Sequence, residues 1–121
     1  MTDLVFFLVL LQLKHWYVDF VSQTAEEVHG KGIYGNRLGL WHSVKHGIGT
    51  AMAVWIVGGM IAIPVALLVG IIDFTIHYHI DWVKMNWGNR DIQNPLYWNH
   101  LGLDQMAHQI TYIGFMYWLF A

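Results

Sequence analysis

Polarity comes in blocks along this chain. An apolar run from Leu4 to Val21 opens it, and a polar stretch from Ala25 to Arg37 follows. From Gly47 to Ile72 there is no Asp, Glu, Lys, Arg or His. That run is too long for one straight span with its flanks, and Gly58-Gly59 followed by Pro64 predicts a tight turn inside it. The pattern therefore predicts four helices, over about 4–24, 38–57, 60–84 and 103–121, in a single domain. Each is close to the ~20 residues that cross a hydrocarbon core. Ten-residue alternating strands are absent, so the expected fold class is all-α, an integral membrane antiparallel four-helix bundle. Two longer loops, Ala25–Arg37 and Met85–Gly102, then fall on the same side. Within the second, Asn94-Pro95 reads as N-cap and first helical position of a short interfacial helix carrying Tyr97 and Trp98.

Ionisable residues recur four apart on each predicted helix, which puts them on one face. Helix one has His15 and Asp19, extended by Gln12 and Gln23; helix two has His42 and His46. Helix three has Asp73, His77 and Asp81; helix four has Asp104 and His108, with His100 upstream and Thr111 after. At about 1.5 Å per residue, His15, His46, Asp73 and His108 share one depth. Asp19, His42, His77 and Asp104 share another one turn nearer the loops, so two stacked polar layers are predicted. Small residues continue two of the stripes (Gly70, Ala66 and Ala62; Gly49 and Ala53), which would let membrane helices approach closely.

Composition sharpens this. The chain has 121 residues, 56% hydrophobic and 12% charged, with a mean hydropathy of +0.41. Soluble domains carry about 25% charge. The balance excludes a disordered chain, a basic nucleic-acid binder and a disulfide-stapled module. Asp3 stands where a cleaved signal has basic residues. All six Lys and Arg (Lys14, Lys31, Arg37, Lys45, Lys84 and Arg90) lie in the two loops or in the adjacent helix halves. The positive-inside rule then makes the loops cytoplasmic and places both termini outside, in a bacterial inner membrane. Lys31 and Arg37 read as topology determinants or as a grip on an anionic headgroup. Trp and Tyr read as interfacial anchors, His29 as a solvated loop residue and His79 as interfacial.

An isolated Asp at bilayer centre costs roughly 2.5 to 3.5 kcal/mol, so Asp19, Asp73, Asp81 and Asp104 need compensation. Lys14, Lys45 and Lys84 are near enough to pair with some of them. A divalent cation is the more complete partner. Without cysteine its ligands must be nitrogen and oxygen, which favours Zn, Fe or Mn. The candidate ligands are His15, Asp19, His42, His46, His77, Asp81, Asp104 and His108; Asp19, Asp81 and Asp104 are also candidate general bases. The expected activity is metal-dependent hydrolysis of a lipid or another phosphodiester or ester near the cytoplasmic leaflet. Two alternatives stand beside it. One is a non-enzymatic accessory or exclusion protein with a structural polar core; the other is a proton or metal transport subunit. The bilayer is the expected partner, with a possible lipid substrate, no nucleic acid, and assembly into a homo-oligomer or larger membrane complex left open.

Taken together, His15-x-x-x-Asp19-x-x-x-Gln23, Lys31, His42 with His46, His77-x-x-x-Asp81-x-x-Lys84 and Asp104-Gln105-x-x-His108 resemble one family over nearly the whole chain. It is a family of small multi-spanning membrane proteins of bacteria and tailed phages that carry a domain of unknown function. The resemblance implies a four-helix membrane protein of bacterial or phage origin and no established activity. Asp73 and His100 have no place in its pattern. The H-x-x-x-D spacing is also similar to that of zinc-dependent phospholipase C and nuclease-type enzymes, a likeness of ligand spacing alone.

Overall fold

Two asparagines and a glycine set the boundaries of the long helices. Asn36 Oδ1 accepts from Leu38 N and Gly39 N, and Asn94 Oδ1 accepts from Leu96 N, so both act as N-caps. Gly59, at φ +68°, makes the turn where the long apolar run is divided. The computed structural model describes residues 2–121, and these contain helices and no strand. The α-helices are α1 (Thr2–Trp16), α2 (Ala25–Lys31), α3 (Arg37–Gly58), α4 (Ile63–Trp87) and α5 (Pro95–Phe120). A π-helical turn, Tyr17–Val21, continues α1, and a 3-10 turn, Met60–Ala62, leads into α4.

Three expectations change. The first loop contains α2, whose start is fixed by a capping box between Thr24 and Glu27. The first helix leaves α geometry at Tyr17 and ends at Val21 instead of running to 24. The short helix foreseen at Asn94-Pro95 is the first part of α5, which runs unbroken through Gly102.

The long helices pack as a ring in the order α1, α3, α4, α5, with α2 seated against α3 and α4. Ring neighbours run antiparallel. Thr50 meets Asp73 while His46 meets His77 across α3 and α4, and Phe7 meets Phe120 while His15 meets Gln105 across α1 and α5. The α3–α4 contact closes at two glycines: a Cβ on Gly47 would lie 2.7 Å from Gly70 O, and one on Gly70 2.7 Å from Gly47 O.

The interior has two zones. Phe7, Leu11, Ala53, Val54, Ala66, Val69, Tyr112 and Phe115 fill the end away from α2. The end nearest α2 is filled by polar groups. Among the described residues, thirteen buried side chains are polar or charged and ten are hydrophobic. Large apolar side chains such as Phe6, Leu13, Leu67, Ile71 and Ile113 cover the outside. That reverses the ordinary distribution, in which Lys, Glu and Asp are almost never fully buried unless paired. The stretches Thr2–Val21 and Met60–Trp87 are long and apolar enough to cross a membrane.

The glycine contact predicts a measurable asymmetry. Gly47→Ala or Gly70→Ala should destabilise the fold by about 1–3 kcal/mol through overpacking. Gly114→Ala, where a Cβ meets nothing, should be neutral or stabilising by up to about 1 kcal/mol. Denaturation midpoints of the purified protein test both.

Candidate metal centre

Histidines four apart on α3 and carboxylates four from histidines on α1, α4 and α5 bring eight ionisable side chains into the polar zone. His15, Asp19, His42, His46, His77, Asp81, Asp104 and His108 are all buried, none more than 9% exposed. Asp19 stands in the π turn, a distortion that recurs at functional sites. Its Oδ1 lies 2.8 Å from His46 Nε2, 3.0 Å from His42 Nε2 and 3.9 Å from His77 Nε2. Asp81 is the second focus. Its Oδ2 lies 3.0 Å from Lys31 Nζ and 3.2 Å from His77 Nε2, and its Oδ1 lies 3.4 Å from His108 Nε2. The rings of His46 and His77 stack at 3.5 Å between centroids, and those of His77 and His108 at 4.0 Å.

Two sets within this cluster have the spacing of a metal site: Asp19, His42, His46 and His77, and His77, Asp81 and His108. In each set one ligand atom per residue lies within 4.8 Å of the others. Several of these atoms make no well-aligned hydrogen bond within the protein. His42 Nε2, His77 Nε2, His108 Nε2 and Asp81 Oδ2 are buried without a hydrogen bond, although carboxylate or amine groups stand close by. Leaving a buried polar atom unpaired costs roughly 1–3 kcal/mol. A divalent cation held by nitrogen and oxygen donors would satisfy several of them at once, so the residues present fit such an ion.

The family profile of the DUF3307 proteins, described as proteins of unknown function, matches residues 6–121. The chain belongs to the DUF3307 family. Neither a curated protein nor a solved structure matches it. The reading of this DUF3307 site therefore stands on its geometry.

His15 and Asp104 sit at the edge of the cluster with partners of their own. His15 donates from Nε2 to Gln105 Oε1 at 2.7 Å, and its Nδ1 pairs with the Tyr112 hydroxyl at 3.0 Å. Asp104 accepts from Lys84 at 2.9 Å and from the Gln105 amide at 3.1 Å, and lies 3.4 Å from His108 Nε2.

Asp73 departs from the predicted layer. It lies one turn deeper and pairs with Lys14 at 2.8 Å and Thr50 at 2.6 Å. The Lys14 ammonium also donates to the Tyr112 hydroxyl at 3.0 Å and reaches His46 Nδ1 at 3.3 Å.

Four participants escaped the sequence reading. Lys31 is buried against Asp81 and Gln23, where a topology determinant or a grip on an anionic headgroup was expected. Glu27 is buried beside it and pairs with Lys45 at 2.9 Å. Burial pushes the Glu27 carboxyl up, but hydrogen bonds from Lys45 and the Thr24 N–H outweigh it and hold it below its ordinary value. Tyr112 is fully buried in the site, and not an interfacial anchor. Gln105 links His15 to Asp104. Tyr112 was in reach of the i+4 rule from His108, and α2 was in reach of the Thr24–Glu27 capping signature. His29 and His79 are exposed, the latter bonded to Tyr34 and to Thr75 O.

The Lys14–Asp73 pair should behave as a buried ion pair. Lys14→Met leaves a buried carboxylate without its cation and should cost about 3–5 kcal/mol, whereas Lys14→Met with Asp73→Leu should recover most of that loss. A double-mutant cycle on the denaturation midpoint measures the coupling.

Proposed function

We propose that this protein is a membrane-embedded, divalent-metal-dependent hydrolase acting on a phosphodiester or ester near the cytoplasmic leaflet. The observation that carries the reading is the convergence on two buried carboxylates of imidazole nitrogens from α3, α4 and α5 that make no hydrogen bond. A structural polar network needs its members satisfied by one another, and here several are not.

The inverted interior supports the membrane setting, with α1, α3, α4 and α5 as an antiparallel four-helix bundle. Charged groups are inside and large apolar groups outside, the arrangement that lipid favours and water does not. The bias of Lys and Arg toward the end carrying α2 supports cytoplasmic loops.

In this reading Asp19, His42, His46 and His77 form the four-donor set, and Asp81 and His108 extend it through His77. Zn, Fe or Mn suits such donors and would polarise a substrate oxygen and acidify a water. Asp19 and Asp81 both line a polar cavity of about 440 Å³ that reaches the cluster, so either carboxylate can take a proton from a water positioned there. Lys31, fixed against Asp81, brings positive charge to the same wall, where a transferred anionic group would gather charge. Asp104 holds His108 in orientation while Lys84 and Gln105 hold Asp104. A path for ions through the bundle is less well supported, because the interior beyond Thr50 and Tyr112 is packed with Phe7, Leu11, Val54, Val69 and Phe115.

Elemental analysis of the gently purified protein should find one or two divalent ions per chain. His77→Ala, which removes the residue common to both sets, should lose them, and with them metal-dependent cleavage of a chromogenic phosphodiester. Protein that carries no stoichiometric metal, and whose stability is unmoved by His77→Ala, would sink the proposal.

A further inference from the structure

The polar cavity has an apolar neighbour. A groove of about 430 Å³ runs between α4 and α5, walled by Ile80, Val83, Trp87, Leu103 and Ala107. Both spaces are ligand-sized, within the ~300–1,000 Å³ typical of small-molecule sites. They share two lining residues, Lys84 and His100. The groove's walls lack a partner: Trp87 is 73% exposed, Leu103 52% and Val83 41%.

The shared rim is rich in unused donors. Lys84 spends one ammonium hydrogen on Asp104 at 2.9 Å and has two more. The backbone N–H of Asn89 donates to His100 Nδ1 at 2.8 Å, which leaves Nε2 of the neutral ring as an N–H donor. Arg90 lines the cavity, its exposed guanidinium anchored on Met85 O, with donors to spare. An apolar slot that opens onto cationic donors, and beyond them onto Asp19 and Asp81, suits a lipid that carries an acyl chain and an anionic phosphate headgroup.

We propose that the α4–α5 groove and its rim are the substrate site for an anionic phospholipid. One acyl chain lies along Val83, Trp87, Leu103 and Ala107, and the phosphate rests against Lys84, His100 and Arg90. The headgroup side of the phosphodiester then projects into the polar cavity toward the His/Asp cluster. This names the substrate class of the centre described above and rests on that reading. It also gives His100 a role in headgroup recognition.

The test uses the full chain in neutral detergent, stripped of metal, so that binding is read apart from hydrolysis. Bromine on an acyl chain quenches nearby tryptophan fluorescence, and subtracting the Trp87→Phe signal isolates Trp87. Brominated phosphatidylglycerol should quench that signal saturably, at a lipid fraction at least tenfold below that needed by brominated phosphatidylcholine. Ala107→Phe and Val83→Phe, from opposite walls, should each abolish it while leaving the melting profile folded. Arg90→Gln should reduce the preference for phosphatidylglycerol at least threefold and leave phosphatidylcholine binding unchanged. Equal quenching by the two lipids, or quenching that survives both groove-filling variants, overturns the proposal. So does a groove shielded by a second copy of the chain, seen as an oligomer that both groove-filling variants dissociate. Protein that carries no stoichiometric metal as purified, and still prefers phosphatidylglycerol, would sink the metal reading and keep the binding site. Metal-loaded, hydrolytic protein without that preference would do the reverse.

Discussion

Buried carboxylate charge is what the rest of this molecule is arranged around. Asp19, Asp73, Asp81 and Asp104 lie inside a narrow helical ring, and each has been given a different compensation. Asp73 has a lysine from the diagonal helix and a threonine hydroxyl. Asp104 has a lysine and an amide. Asp19 has only imidazoles beside it, and Asp81 has imidazoles and Lys31. In a low-dielectric interior a carboxylate without a cation is expensive, and the two carboxylates served mainly by histidines are the two that face the polar cavity.

The elements follow from that demand. The glycine pair at the α3–α4 crossing lets Thr50 reach Asp73 and His46 stack on His77. The π turn carries Asp19 to the point where both α3 imidazoles reach it. The capping box starts α2 at the place that delivers Glu27 and Lys31 inward. The cluster is thus framed on all sides by groups that hold it still, as preorganised chemistry requires.

Much of this was legible because spacing of three and four residues survives as geometry. The stripes His15/Asp19, His42/His46, His77/Asp81 and Asp104/His108 are read from the chain and meet in space. Asp73 kept the spacing but not the company, because Lys14 and Thr50 intercept it one turn below the histidines. Lys31 and Glu27 were opaque for a different reason. A polar residue in a connecting segment looks the same whether it is solvated or folded back, and what decides is the tertiary contact of α2 with α3 and α4. The π turn leaves no mark in composition, and the continuity of α5 through Gly102 shows that a glycine with free space around it need not break a helix.

The Lys14–Asp73 pair has a consequence for how the chain is made. Its partners lie 59 residues apart, on the first and fourth α-helices, with two further helices emerging between them. In the proposed membrane setting, α1 with its π turn, inserted alone, would present Lys14 and Asp19 to lipid, and α4 would present Asp73 and Asp81, each unfavourable at bilayer depth. Neither charge is relieved until most of the polypeptide has emerged. If the bundle resides in a membrane, as proposed, its helices cannot each enter lipid singly: counter-charges that arrive late make closure of the ring and entry into the bilayer one event.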